Sequence, residues 1–187
     1  MPTREEAFAL LKEYNGNALV THGLAVEGTM RYFATKAGED EDTWGIVGLL
    51  HDLDYEKYPD QHCVKTAEIM REKGYSEEII RAIVSHGWGI CSDVEPLSVM
   101  GKTLYAVDEL TGLITACALV RPSKSVMDLE LSSAKKKFKD KGFAAGASRV
   151  VIQQGADMLG VTLEELITDV ITAMRGIAPS LGLELKN

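Results

Sequence analysis

Six residues carry the chemistry legible in this 187-residue chain: His22, His51, Asp52, His62, His86 and Asp108. The four histidines among them are all the histidines the sequence has. His51 and Asp52 are adjacent, and they close the apolar stretch Gly48-Leu49-Leu50. Adjacent side chains on a helix diverge by about 100°, so the pair cannot sit together on one solvated face. Burying either group without a partner is costly, which calls for a cation or a hydrogen-bond network. Imidazole with carboxylate suits Fe, Mn, Ni or Zn, and the lack of cysteine ligands disfavours a structural zinc site. Six donors exceed what one metal with open positions needs. Two divalent metals are therefore favoured over one, with Asp52 as the bridge, since each carboxylate oxygen offers lone pairs. Such a centre activates water for hydrolysis.

Each candidate also has a plainer reading. His51-Asp52 could be a helix C-terminal pair, with the histidine at the negative end of the dipole. His22 could be a core histidine, and Asp108 a charged interruption paired with Lys102, although six residues is a poor helical spacing for that pair. His62 and His86 are dispensable to a one-metal site, and His86 could instead meet substrate phosphate.

The elements that must position these residues read as helices almost throughout. Thr3 before Arg4-Glu5-Glu6 reads as an N-cap, and a stripe of Ala7, Leu10, Leu11 and Tyr14 follows. Further helices are predicted over 18–37, closed by Gly38, over 41–50, over 62–73, and from the Ser76 cap to about His86. Residues 55–61 read as a loop. A long apolar helix over 97–120 carries Asp108, with Glu109 beside it read as structural. A mixed basic segment follows over 124–147, then helices over 148–159 and 162–178. No run alternates long enough for a convincing strand, so the expected fold class is an all-α, single-domain helical bundle spanning 1–187. The core motif covers about 18–120, and 121–187 form a helical extension packed on it.

The net charge of −8 argues against general nucleic-acid binding. Base is concentrated between Arg121 and Arg149, a pattern suited to a small anionic, phosphate-containing substrate or, equally, to a solvated helix face. Arg121, Lys124, Lys135 and Lys139 are the substrate-binding candidates, Arg121 foremost because guanidinium grips phosphate bidentately. Trp88 and Tyr55 offer stacking or rim packing. Cys63, Cys91 and Cys117 read as isolated thiols. No signal peptide or transmembrane run is recognisable, so the expectation is a cytoplasmic protein without membrane contact.

The ordered set His22…His51-Asp52…Asp108 resembles the signature of the HD-domain metal-dependent phosphohydrolase superfamily. His62 and His86 match the additional histidines of its two-metal branch. The stretches His51-Asp52-Leu53-Asp54-Tyr55-Glu56-Lys57 and Asp108-Glu109-Leu110-Thr111-Gly112 resemble a bacterial and archaeal subgroup of HD hydrolases. The resemblance implies an all-α fold and a hydrolase acting on a phosphomonoester or nucleotide through metal-activated water. It also implies a catalytic role for Asp52 and, for Lys57, a place near the substrate phosphate; Asp54, read from its own chemistry, is a proton-transfer group or a partner of Lys57. Asp54 stands where the family often has glycine, and no Gly-Tyr-Pro motif is present, so cyclic dinucleotides are not implied. A diiron oxygenase and a non-catalytic nucleotide-binding module are the alternative expectations.

Overall fold

The structure is a computed structural model and describes residues 2–186. It is all-α: α1 (Arg4–Tyr14), α2 (Asn17–Ala37), α3 (Glu41–Leu50), α4 (Val64–Glu72), α5 (Glu77–Val84), α6 (Val99–Leu119), α7 (Leu131–Lys139), α8 (Arg149–Leu159), α9 (Leu163–Gly176) and α10 (Ala178–Leu181). Two single 3-10 turns, Pro59–Gln61 and Ser85–Gly87, fall in the connections. No strand occurs among the described residues.

The helix ends follow from local chemistry. Thr3 and Glu6 form a reciprocal capping box at α1, and Thr162 and Glu165 form another at α9. Asp40, Ser76, Ser98 and Ser148 each accept a backbone N–H in the first turn of their helices. Gly38 and Gly160 stop α2 and α8 in the left-handed conformation. One expected boundary shifts. The helix predicted from His62 begins at Val64, so His62 stands outside it, between the 3-10 turn and α4.

α2 and α6, each of 21 residues, are the longest helices among the described residues and pack on each other. α3 lies on α2 and α8 lies on α6. The extension is part of this packing. Val126, Leu129, Ile152, Leu166 and Ile167 belong to the same buried cluster as Val26, Leu49 and Leu104.

The crossing of α2 and α3 sets the distance between His22 and His51. A Cβ on Gly48 would lie 2.7 Å from the Val26 carbonyl oxygen, and one on Gly23 would lie 3.0 Å from the Leu49 carbonyl. The two helices therefore touch backbone to backbone, one turn from each histidine. Gly48→Ala is expected to destabilise the protein by about 1–3 kcal/mol, the usual cost of overpacking. A urea titration would check this, and an unchanged midpoint would show that the crossing is looser than described.

Candidate metal centre

Five segments deliver the six residues to one place. His22 comes from the second turn of α2, and His51 from the C-cap of α3 with Asp52 next to it. His62 precedes α4, His86 sits on the 3-10 turn after α5, and Asp108 lies midway along α6. Their facing atoms separate into two groups around one carboxylate. On one side, Asp52 Oδ2 is 3.3 Å from His51 Nε2 and 3.8 Å from His22 Nε2. Asp108 Oδ1 closes that group, at 3.1 Å from His51 Nε2 and 2.9 Å from His22 Nε2. On the other side, Asp52 Oδ1 is 3.4 Å from His62 Nε2 and 3.5 Å from His86 Nε2.

The hydrogen bonds behind the rings fix their tautomers. The Nδ1 atoms of His51 and His86 contact the carbonyls of Gly48 and Ile83, which can only accept. His62 Nδ1 lies 2.7 Å from Asp54 Oδ1, a second acceptor-only group. All three Nδ1 atoms therefore carry hydrogen and donate it, so each neutral ring turns an Nε2 lone pair inward. The inward atoms are then short of partners. His51 Nε2 is buried with no hydrogen bond, and the Nε2 atoms of His62 and His86 face each other at 3.2 Å. Lone pairs and carboxylates crowded this closely need a cation between them. The set fits divalent metals, with the ring orientations held from behind as metal-ligating histidines require.

Electrostatics agree. Burial works against an imidazolium at His51, but the charges of Asp52 and Asp108 together outweigh it and hold the pKa well above the ordinary value. His86 is raised in the same way, burial opposing and the hydrogen bond with Asp52 prevailing. Asp52 and Asp108 are held well below the carboxylate range: burial opposes this, and His51 dominates the lowering. In the absence of metal, protons take the cation's place.

The site opens into a cavity of about 420 Å³, lined among others by Tyr55, Ile90, Cys91, Glu109, Ala144 and Ala147. Residues 144–147 form one wall. The Arg149 guanidinium holds that wall by donating to the carbonyls of Ala144, Ala147 and Phe143. Among the described residues, no Lys or Arg lines the cavity.

The other candidates lie outside this cavity. Asp54 is fully buried, and its Oδ2 accepts the Thr66 N–H while Oδ1 accepts from His62. It positions His62, and it neither reaches the cavity nor pairs with Lys57. Lys57 turns its ammonium onto the Tyr14 ring, 4.3 Å from the centroid, away from the cavity. Arg121 pairs with Asp128 at 2.9 Å. Lys135 pairs with Glu164 at 2.6 Å and, with Lys139, lines a separate shallow groove. Lys124 is exposed at a left-handed turn and is not in the cavity. Asp108 pairs with the histidines and not with Lys102.

Two residues escaped the sequence reading. Glu109 lines the cavity, where burial and then Asp108 raise its pKa, and it accepts the Ser148 N–H. Cys91 also lines the cavity and contacts Cys63, so these thiols are not isolated. That thiol contact, acting chiefly, holds Cys91 down to about 6. Adjacency to Asp108 and to the His86 turn was the available signal for both.

Asp54→Asn keeps the acceptor toward His62 but turns an amide onto the Thr66 N–H. Metal affinity is expected to fall about 10–100-fold, the usual effect of losing a ligand's supporting partner. Metal titration would check this, and an unchanged affinity would remove Asp54 from the site.

Compared with known proteins, residues 19–112 match the family described as HD domain. Ribonuclease Y of Oleidesulfovibrio alaskensis is 31% identical over 97 residues, covering 50% of this chain and 18% of that protein. Ribonuclease Y of Thermotoga petrophila and of Thermotoga maritima are each 28% identical over 144 residues, covering 73% of this chain and 27% of theirs. The chain thus spans about a fifth to a quarter of the length of these relatives. No solved structure gives a match.

Proposed function

The chain belongs to the HD-domain family, and from that premise we propose that it is a metal-dependent phosphohydrolase acting on a small phosphate ester. The observation that carries the reading is the Asp52 carboxylate, with one oxygen toward His22 and His51, which Asp108 also faces, and the other toward His62 and His86. A pair of divalent metals held there would supply a nucleophilic water near neutral pH and a clamp on the phosphoryl oxygens. The chain's own part is to hold and to shape. Gly48, Ile83 and Asp54 fix the three rings, Asp52 ties the two groups together, and the Arg149-anchored wall closes one side. Glu109 faces the cavity as a hydrogen-bond acceptor for a substrate hydroxyl or amine. Tyr55, half exposed at the rim and edge-on to His62 at 5.0 Å, offers a face for a planar group.

Beyond the metals, whose charge would offset the three carboxylates, the lining has no Lys or Arg to hold further phosphates, which does not suit a polyanion. This favours a phosphomonoester or a mononucleotide. The relatives' name, ribonuclease, supports RNA as the second reading. No helix among the described residues is long and apolar enough to cross a membrane.

A screen of metal-loaded protein against phosphomonoesters, mononucleotides and oligoribonucleotides, with and without oxygen, tests the reading. Oxygen-independent phosphate release that stops on metal removal is the expected result. Cleavage of the oligoribonucleotide alone would establish the second reading, and turnover only in oxygen would replace both with oxygenase chemistry.

A further inference from the structure

Cys63 and Cys91 are 28 positions apart in sequence, yet their sulfurs stand 3.5 Å apart. Cys63 follows His62 directly and adopts φ 70° before α4 begins. Beyond His86 the chain folds tightly, with the N–H groups of Ile90, Cys91 and Ser92 all directed at the Gly87 carbonyl. A Cβ on Gly87 would lie 2.5 Å from the Cys91 sulfur and 2.9 Å from that of Cys63. Only glycine lets the loop press both thiols together. The pair also forms a partition. Cys91 lines the cavity of the candidate metal centre, and on the far side both cysteines line a second cavity of about 700 Å³, with Arg71 and Arg81 in its walls. Cys91 is exposed and Cys63 is buried.

We propose that Cys63 and Cys91 are a reversible oxidation site, a dithiol that closes to a disulfide and in closing disables the His62–His86 half of the metal centre. Sulfurs in a disulfide are about 2.05 Å apart, so closure needs roughly 1.5 Å of approach. Cys63 is covalently next to His62, and Cys91 hangs from Gly87, which is covalently next to His86. Either approach therefore pulls on one of the two rings. The oxidant class is a peroxide. The exposed Cys91 thiolate attacks one peroxide oxygen; an S–O bond forms, the O–O bond breaks, and hydroxide leaves. The Cys63 sulfur then attacks the sulfenic sulfur; the S–S bond forms, the S–O bond breaks, and the hydroxyl leaves as water with the Cys63 proton. Two thiols give up two electrons, and the peroxide becomes two waters. A small dithiol reverses the bond by exchange. The effect on metal rests on the two-group reading of the centre; the disulfide itself does not.

Manganese-loaded protein treated with hydrogen peroxide provides the test, read by thiol alkylation with mass spectrometry and by metal analysis. Free thiols are expected to fall from three to one, with Cys117 retained and a Cys63–Cys91 peptide recovered. Bound manganese is expected to fall from two per chain to one, and dithiothreitol should restore both. Cys91→Ser should keep its manganese under the same dose. Three surviving thiols, or Cys91 oxidised to sulfinic acid with Cys63 free, would overturn the site. A complete disulfide with manganese unchanged would overturn the coupling. Reduced protein that binds fewer than two manganese ions refutes the two-metal reading, and the thiol count still decides the disulfide.

Discussion

Asp52→Ala is expected to lower kcat/KM for phosphate release by at least about 10³-fold. Lewis-acid and nucleophile-activating roles are each worth several kcal/mol, and about 1.4 kcal/mol is a factor of ten. The size of the loss follows from position. Asp108 faces one group of histidines and Asp54 stands behind a single ring, whereas the two oxygens of Asp52 face both groups. Alanine removes a shared donor and leaves four imidazoles facing the gap. The same variant should still fold, because Asp52 is 15% exposed and caps no helix. Circular dichroism beside the turnover assay separates loss of chemistry from loss of fold. A variant that is folded, retains its metal and turns over at the original rate would remove Asp52 from the mechanism.

The second large effect is on stability, and its sign depends on pH. In metal-free protein the pKa values of His51 and His86 are raised in the folded state. Their stabilisation is fully present below the unfolded value of about 6.5 and is lost as pH rises through the raised values. Asp52 and Asp108 are depressed, so their contribution is present above about 3.9 and is lost as pH falls through the folded values. Metal-free protein is therefore best served between these limits, where imidazolium stands in for metal. Above the raised histidine values the carboxylates and lone pairs face one another with no cation, and added metal has most to gain. At a free concentration near a thousand times Kd, metal should add about 4 kcal/mol, or roughly 8–16 °C in Tm for a chain of this size. The gap in Tm between manganese-loaded and chelator-treated protein should grow steadily as pH rises from about 5.5 through neutrality, as protons cease to compete with metal at His51 and His86. A gap that does not change with pH would mean that metal does not compete with these protons.

What the sequence shows and hides has physical causes. His22, His51, Asp52 and Asp108 are legible because each interrupts an apolar helix, and helices with apolar faces must pack those faces together. The all-α class and the caps at Thr3 and Ser76 follow from the same periodicity and from residue types that accept first-turn N–H groups. The basic candidates lie apart from the centre because closeness along the chain is not closeness in space. Arg121 lies 13 residues beyond Asp108 at the far end of α6, which is about 20 Å of helix. Asp54 is hidden for a different reason, since only the fold shows that the turn after His51 faces inward and closes on Thr66. The contact of Cys63 with Cys91 has no signature at all, because a spacing of 28 fits no motif and a tight loop at Gly87 creates it.

The central claim is that Asp52 joins two metal positions. Elemental analysis of protein purified without added metal, and again after manganese loading and gel filtration, tests it most directly. The account predicts two divalent ions per loaded chain, and a drop below one in Asp52→Ala. One ion per chain at saturation, unaffected by Asp52→Ala, would contradict it.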